Sequence, residues 1–173
     1  QREKGDPPHI ILFPEIPLDK EALLKKVDKA VKKHGYCSIV VSEGVQDQDG
    51  KFLADSGRRD AFGHAQLGGV APVLAGMISD ELGYKNHWAV SDYLQRSARH
   101  IGSKNDVEQA YAMGKAAVKL AMQGKTGVMP IIVRTSDKPY KWEVGEVDLA
   151  KVANVEKMVP RNFITKDGMG ITA

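Results

Sequence analysis

The feature that most constrains the fold is an alternation of short apolar runs with segments of helical periodicity along the 173-residue chain. Residues 9–13 and 38–41 are compact runs rich in Ile, Leu and Val, which is typical of buried strands. Each run is followed by a segment in which apolar residues recur at helical spacing. Repeated strand–helix units predict an α/β fold, with a Rossmann-like parallel sheet and helices on both faces.

Capping residues mark the ends of two predicted helices. Asp19 is a good N-cap for a helix that runs to about Lys33, and Gly35 supplies its stop. A second helix follows the pair Gly68-Gly69, carries apolar residues in helical register and ends at Gly83.

A third helix is predicted behind the segment Ser103-Lys104-Asn105-Asp106, which has the form of a capping box with Asp in place of the usual Glu. This helix ends at Gly124. The apolar and small residues that it carries are Val107, Ala110, Tyr111, Gly114, Ala117, Val118 and Ala121.

The remaining segments have shorter patterns. Trp88-Ala89-Val90 predicts a third strand, and residues 42–63 predict a loop that is longer than most connections. Residues 128–134 and 140–147 predict an antiparallel strand pair, and residues 149–158 have a helical pattern. The tail after them has no regular pattern.

Composition excludes several classes of protein. The chain is 42% hydrophobic and 27% charged, which is ordinary for a globular protein and excludes disordered and fibrous classes. A net charge of +3 is too small to indicate a nucleic acid or a membrane as a partner. A single cysteine, Cys37, excludes an intramolecular disulfide and fits a reducing compartment.

No stretch approaches the roughly 18 apolar residues that a membrane helix needs, and no signal peptide opens the chain. Together with the single cysteine, these features lead us to expect a cytoplasmic protein. At roughly 100–200 residues per domain, the length predicts one domain, or a large piece of one.

Ligands of parallel α/β sheets bind beyond the carboxyl ends of the strands. This rule selects three segments, which follow the predicted strands directly: Pro14-Glu15, Ser42-Glu43-Gly44, and residues 93–100. The last segment holds Tyr, Gln, His and two Arg side chains. Because Arg binds phosphate oxygens with a planar fork, this cluster fits a phosphorylated small molecule. A surface loop whose arginines pair with Asp92 and Asp106 is the alternative.

Other motifs do not indicate a site. Gly124-Lys125-Thr126 resembles the end of a phosphate-binding loop, but position 119 is Lys where that motif requires Gly. Residues 63–69 lack the glycine spacing of a dinucleotide site, and we interpret them as a flexible loop. Cys37 and the scattered histidines lack metal-ligand spacing.

In their order and spacing, several motifs resemble the phosphofructokinase family, and specifically its pyrophosphate-dependent branch (diphosphate–fructose-6-phosphate 1-phosphotransferase). The resemblance runs along essentially the whole chain and covers the C-terminal part of the family's catalytic unit. It rests on Phe13-Pro14-Glu15, Ile39 to Gly44, Tyr93 to Arg96, and the run from Asp106 through Met113-Gly114 to Ala117.

The resemblance implies roles for four substrate-binding residues. Glu43 would contact the sugar of fructose 6-phosphate, and Arg96 would contact its 6-phosphate. Tyr93 would shape and hydrogen-bond that subsite, with Gln95 as a neighbour. Tyr at position 93, where ATP-dependent members have His, favours pyrophosphate as the donor.

The chain also departs from the family's pattern. Ser97-Ala98 replace the Gly-Gly that follows the Arg in ATP-dependent bacterial members, and His87 stands where those members supply an Arg to a neighbouring subunit. The resemblance leaves open whether His87, Lys85 or neither takes over that contact. The family's donor loop and catalytic Asp would lie upstream of Gln1.

Residues 1–173 therefore resemble the fructose-6-phosphate-binding part of an enzyme whose donor-binding half is absent from this chain. The implied reaction moves a phosphoryl group from Mg²⁺-bound pyrophosphate to the 1-hydroxyl of fructose 6-phosphate, in glycolysis and gluconeogenesis. The Mg²⁺ ligands and the catalytic residues would lie in the other half, so we expect this chain alone to be inactive. The family also implies a homo-oligomer. Two alternatives are an ATP-dependent 6-phosphofructokinase and a non-catalytic sugar-phosphate-binding module.

Overall fold

The computed structural model describes residues 5–59, 65–67 and 69–172. It divides into two compact units: Gln1–Val90 with Met158–Ala173, and Ser91–Lys157. Within the described ranges, no helix combines the length and the apolar character that are needed to cross a bilayer.

The first unit contains a parallel strand pair, a short antiparallel pair and two long helices. Its elements are β1 (Ile10–Leu12), α1 (Lys20–His34), β2 (Ile39–Val41), β3 (Asp55–Arg59), β4 (Ala65–Leu67) and α2 (Val70–Leu82). The second unit contains a short helix, a long helix and a hairpin. Its elements are α3 (Leu94–Ser97), α4 (Lys104–Met122), β5 (Val128–Asp137) and β6 (Tyr140–Asp148).

Strands β1 and β2 run parallel, with Ile10 opposite Ile39 and Leu12 opposite Val41. The apolar side of α1 packs with them into the core of the first unit. The buried members of this core are Ile10, Leu12, Leu18, Leu23, Val27, Val45, Leu74, Ile78 and Met169. The predicted α/β class, with a parallel sheet, helices and an antiparallel strand pair, is confirmed.

The predicted helix caps are confirmed by hydrogen bonds. The Asp19 carboxylate accepts from the Ala22 N–H at 2.9 Å, and the N–H of Gly35 donates to the Val31 carbonyl from a left-handed conformation. At the start of α4, the Asp106 N–H donates to Ser103 Oγ at 3.1 Å. The Asp106 carboxylate accepts from the Ser103 hydroxyl instead of reaching the backbone, as Glu would, because Asp is one methylene shorter.

The third strand predicted at Trp88-Ala89-Val90 does not form: residues 83–91 have no regular secondary structure. Two side chains hold this segment against the helices instead. The Tyr84 hydroxyl donates to Asp28 on α1, and the Asn86 amide donates to the Ala75 carbonyl on α2, each at 2.8 Å. Both Trp88 and Val90 remain exposed.

The helix predicted over residues 149–158 is also wrong. One 3-10 turn forms at Leu149–Lys151, and Asn154 then adopts a left-handed conformation with φ of +57°, which a continuous right-handed helix does not allow. The loop predicted over residues 42–63 is wrong in part, since β3 lies within it and pairs with β4. The flexible loop interpreted at residues 63–69 contains β4, while residues 60–64 and 68 lie outside the described residues.

The antiparallel pair predicted near the end of the chain is confirmed as the β5–β6 hairpin, in which Val128 pairs with Asp148 and Asp137 with Tyr140. Helix α4 packs on this hairpin. The Gln109 side chain is buried and its amide donates to the Tyr140 hydroxyl at 2.6 Å, which joins the helix to the turn end of the hairpin.

The C-terminal tail, residues 159–172, has no regular sequence pattern, but it packs against the open edge of β1 and completes the first unit. The Met169 carbonyl accepts from the N–H of Ile11 at 3.2 Å, on the edge of β1 that does not face β2. Gly168 brings the chain to this point with a φ of +73°, and a Cβ there would lie 2.8 Å from Cγ2 of Ile16. Only glycine fits both the conformation and the space.

We predict that Gly168→Ala lowers the free energy of unfolding by about 2–3 kcal/mol, since it adds a steric collision to the strain of a positive φ. Gly83→Ala is the matched control, because Gly83 has a φ of +68° but nothing within 4 Å of an added Cβ. It should cost about 1 kcal/mol. Chemical denaturation of both variants measures the difference, and equal losses would contradict this packing.

Asp167 connects the tail to helix α1 through an ion pair with Lys26. Its Oδ2 accepts from Lys26 Nζ at 2.6 Å, and its Oδ1 accepts from the Thr165 hydroxyl at 2.6 Å and from the Met169 N–H at 3.2 Å. Burial by itself would raise the pKa of Asp167. The hydrogen bonds that stabilise the carboxylate outweigh burial and lower this pKa from 3.8 to about 2.

Because the folded state holds the pKa of Asp167 below its unfolded value, the stabilisation is complete above pH 4–5 and is lost as the pH falls towards 2. We predict that Asp167→Asn destabilises the protein by about 1 kcal/mol at pH 7, a value reduced by solvent screening of this half-exposed pair. The gap to the unmodified protein should close between about pH 5 and pH 2. Asp49→Asn, on an exposed turn, is the control and should leave the free energy of unfolding unchanged. A loss of stability in Asp167→Asn that stays the same from pH 7 to pH 2 would contradict the assignment.

Candidate functional site

The carboxyl ends of β1 and β2 lie side by side because the two strands are parallel. The segments that follow them, Pro14-Glu15 and Ser42-Glu43-Gly44, therefore occupy the same edge, as the sequence predicts. The Ser42 N–H donates to the Leu12 carbonyl at 3.2 Å, which extends the strand pairing by one step. This edge is the candidate sugar-binding edge of the first unit.

Glu43 stands exposed on a turn that is fixed at both ends. The Val45 N–H donates to the Ser42 carbonyl at 3.3 Å, and the Val45 side chain is fully buried. Gly44 approaches Pro14 so closely that a Cβ would lie 3.2 Å from the Pro14 Cβ. This rigid turn presents an acceptor carboxylate to solvent, where a hydroxylated ligand could donate to it.

Glu15 is held differently from Glu43, although both follow a strand. Its Oε1 accepts from the Val159 N–H at 2.7 Å, so the carboxylate ties the tail to the end of β1. Its Oε2 is buried and has no hydrogen-bond partner among the described residues. Glu15 therefore anchors the backbone beside Pro14 and supports the edge on which Glu43 stands.

A small cavity of about 90 Å³ lies next to this edge. Its lining is mainly apolar and includes Leu12, Phe13, Ile16, Asp167 and Met169. Pockets that enclose small molecules usually measure about 300–1,000 Å³, so a hexose phosphate does not fit here. The cavity is a packing gap beneath the tail, and no pattern in the sequence predicts it.

The second group of predicted site residues lies on one short helical turn of the second unit. Tyr93 precedes α3 and its side chain is 64% exposed. The Ser97 N–H donates to the Tyr93 carbonyl at 3.0 Å, which closes the turn. Gln95 and Arg96 lie on this turn by their backbone. Tyr93, Gln95 and Arg96 are thus neighbours, as their sequence positions require.

Lys85 and His87 are the two candidates for a further phosphate contact. They alternate with Tyr84 and Asn86 along the segment before residues 88–90. Tyr84 and Asn86 turn inward to hydrogen-bond with the helices, as described above, and Lys85 and His87 are exposed. Both side chains are accessible to a ligand, and whether Lys85, His87 or neither makes the contact stays open.

Glu43 belongs to the first unit, whereas Tyr93, Gln95 and Arg96 belong to the second. The structure places an exposed carboxylate on a fixed turn in the first unit, and the backbone of the other three residues at one short helical turn in the second. That the four residues act on one ligand stays a prediction from the resemblance.

Across residues 5–59, 65–67 and 69–172, no group of three or more His, Cys, Asp or Glu side chains could hold a metal ion. Cys37 does not supply a reactive thiolate, because burial raises the pKa of its thiol.

Comparison with known proteins identifies close relatives. The chain is 62% identical over 169 residues to a pyrophosphate--fructose 6-phosphate 1-phosphotransferase of Halomonas elongata, with 98% of this chain and 40% of the relative covered. It is 63% identical over 163 residues to the protein of the same name from Methylococcus capsulatus, with 94% and 39% covered. The chain thus spans about two fifths of the length of these relatives.

The fold agrees with a crystal structure titled pyrophosphate-dependent phosphofructokinase from Nitrosospira multiformis. The TM-score is 0.73 at 60% sequence identity, over 94% of this chain and 37% of that chain. An ATP-dependent 6-phosphofructokinase 1 of Nostoc is more distant, at 34% identity over 69% of this chain. No protein-family model matches the sequence.

The strand-end motifs, the α/β architecture and these identities agree with one another. The chain belongs to the phosphofructokinase family, among relatives that are named for pyrophosphate as the phosphoryl donor.

Proposed function

We propose that this chain is the fructose-6-phosphate-binding part of a pyrophosphate-dependent phosphofructokinase. The complete enzyme moves a phosphoryl group from pyrophosphate to the 1-hydroxyl of fructose 6-phosphate. The observation that carries this proposal is the 62% identity, over 98% of the chain, to a relative named for this reaction. Because the chain spans about two fifths of that relative, the activity belongs to a longer polypeptide.

Pyrophosphate is favoured over ATP as the donor. The relatives named for pyrophosphate reach 62–63% identity, whereas the ATP-dependent relative has 34%. Tyr93, which the resemblance associates with pyrophosphate-dependent members, agrees with this difference. The alternative is an ATP-dependent enzyme, and the rates of turnover with pyrophosphate and with ATP distinguish the two.

In this proposal Glu43 orients the sugar. A carboxylate accepts hydrogen bonds from hydroxyl groups, and the turn that carries Glu43 is fixed by buried Val45 and by the contact between Gly44 and Pro14. A fixed acceptor loses little conformational entropy when the sugar binds. Glu43 would therefore set the position of the ring, and thereby the direction of the 1-hydroxyl.

Arg96 anchors the 6-phosphate in the proposal, because its planar guanidinium can donate two parallel hydrogen bonds to phosphate oxygens. Tyr93 precedes the same helical turn and donates its hydroxyl to this subsite, with Gln95 as a further donor. Binding the far end of the substrate at a fixed turn restrains the 1-hydroxyl for an in-line reaction.

The groups that perform the chemistry are proposed to lie outside residues 1–173. Phosphoryl transfer needs a base for the acceptor hydroxyl and Mg²⁺ to neutralise the donor phosphates. The described residues do not supply a group that fits Mg²⁺. We therefore assign the metal and the catalytic base to the donor-binding part, and expect the 173-residue chain alone to lack turnover. The complete enzyme is proposed to be a cytoplasmic homo-oligomer of glycolysis and gluconeogenesis.

A chimeric enzyme tests these roles: this chain replaces the matching two fifths of the Halomonas elongata relative. We predict that Arg96→Ala raises the KM for fructose 6-phosphate about 100-fold, because a charge-assisted anchor of about 2.7 kcal/mol is lost. The KM for pyrophosphate should change less than about twofold. Steady-state kinetics with each substrate varied in turn measure both constants.

Arg134→Ala is the matched control, since it removes the same side chain from the exposed surface of β5, where Arg134 pairs with Asp137. Its KM for fructose 6-phosphate should be unchanged. An Arg96→Ala enzyme with a normal KM for the sugar phosphate would refute the anchor role. Binding of fructose 6-phosphate without any turnover in the folded chimera would instead favour a non-catalytic module.

A further inference from the structure

The segment that follows helix α2, residues 84–90, has no regular secondary structure but an alternating burial pattern. Tyr84 and Asn86 are half-buried, whereas Lys85 and His87 are exposed. In an extended chain, side chains at alternate positions lie on the same side. The segment therefore has an inner side against the helices and an outer flank towards solvent, and we define the outer flank as Lys85 and His87.

Tyr84 attaches this segment to helix α1. Its hydroxyl donates to Oδ1 of Asp28 at 2.8 Å, and its ring packs against the core of the first unit. Asp28 is also held at its other oxygen, because Oδ2 accepts from Lys32 Nζ at 2.6 Å. The hydrogen bond to Asp28 raises the pKa of Tyr84, and the bonds from Lys32 and Tyr84 lower the pKa of Asp28. Both shifts preserve the donor and the acceptor at neutral pH.

Asn86 attaches the same segment to helix α2. Its amide donates to the Ala75 carbonyl at 2.8 Å and to the Tyr84 carbonyl at 3.3 Å. Ala75 lies seven residues before the last residue of α2, which is about 10 Å along the helix axis. The segment therefore runs back along the helix that it follows. We call the hydrogen bonds Tyr84–Asp28 and Asn86–Ala75 the inner clamp.

The outer flank presents two groups that can donate to one phosphate. The ammonium of Lys85 and an imidazole N–H of His87 both donate hydrogen bonds. Residues two apart in an extended chain are about 6.5–7 Å apart, so two side chains of this length can converge on the oxygens of one anion. A segment that a ligand has to order loses conformational entropy on binding. The inner clamp orders this segment beforehand, and thereby avoids that cost.

We propose that Tyr84 is a positioning residue for the sugar phosphate, and that its bond to Asp28 acts by holding the outer flank in the conformation that meets the phosphate. This inference rests on the proposed function. Tyr84 and Asp28 act indirectly, because their bonded atoms turn inward to α1. At saturating substrate Glu43 and Arg96 still hold the sugar phosphate, so the loss of the clamp lowers substrate affinity and preserves kcat.

Tyr84→Phe in the chimeric enzyme tests the proposal, because it deletes one hydroxyl and keeps the ring that packs on the core. We expect the KM for fructose 6-phosphate to rise about fivefold, the loss typical of one hydrogen bond. The kcat and the KM for pyrophosphate should change less than about twofold. Tyr36→Phe is the matched control: it deletes the same atom from a half-exposed tyrosine, and should leave all three constants unchanged.

Substitutions of Asp28 test the same bond from its other end. Asp28→Ala removes the acceptor and should raise the KM for fructose 6-phosphate as much as Tyr84→Phe does. Asp28→Asn keeps an oxygen acceptor and should restore this KM to within about twofold of the unmodified chimera. The combination of Asp28→Ala with Tyr84→Phe should be no worse than either change alone, because both break one bond.

A chimera that carries both Lys85→Ala and His87→Ala tests the route by which Tyr84 acts. Adding Tyr84→Phe to this background should change the KM for fructose 6-phosphate less than about twofold, since the groups that the clamp positions are gone. A further rise of about fivefold there would overturn the proposal. So would an unchanged KM in Tyr84→Phe, or equal losses in kcat and in both KM values, which would indicate a merely structural role.

The outcomes separate this inference from the proposed function. A chimera that turns over fructose 6-phosphate normally but does not respond to Tyr84→Phe would overturn the inference and leave the proposed function intact. A folded chimera that neither binds nor turns over fructose 6-phosphate would contradict the proposed function, and this inference with it. Thermal unfolding of each variant verifies that the compared enzymes are folded.

Discussion

The parallel pairing of β1 with β2 determines where everything else in the first unit lies. It places the Pro14-Glu15 and Ser42-Glu43-Gly44 segments at one edge, and α1 covers the pair with Leu23 and Val27. The open edge of β1 is covered by the Met169 carbonyl, which Gly168 and Asp167 hold in place. The exposed carboxylate of Glu43 can be presented rigidly only because these contacts fix the strand ends beneath it.

The second unit is built around helix α4 and the β5–β6 hairpin. Its helix and hairpin pack together through the bond between Gln109 and Tyr140, and the tyrosine, glutamine and arginine of the predicted phosphate subsite share one short turn. The chain corresponds to about two fifths of each relative, and we propose that donor, metal and base lie in the remainder.

Local chemistry in the sequence predicted much of this structure. Asp19, Gly35, Ser103 and Asp106 marked helix ends through their own hydrogen bonds, so periodicity and caps agreed. Residues 88–90 have strand propensity, but the side chains of Tyr84 and Asn86 hold that segment against the helices, and such long-range contacts leave no local pattern. The tail was missed for the same reason: its partners, Lys26 and Ile11, lie more than a hundred residues away. The roles of Glu43 and Arg96 came from resemblance, not from periodicity.

The most direct test of the central claim is the turnover of the chimeric enzyme with fructose 6-phosphate and each donor in turn. The account predicts turnover with pyrophosphate that is at least about tenfold faster than with ATP, a preference of about 1.4 kcal/mol or more in transition-state binding. It also predicts no turnover by the 173-residue chain alone. A folded chimera that uses ATP faster than pyrophosphate, or an isolated chain that turns over, would contradict it.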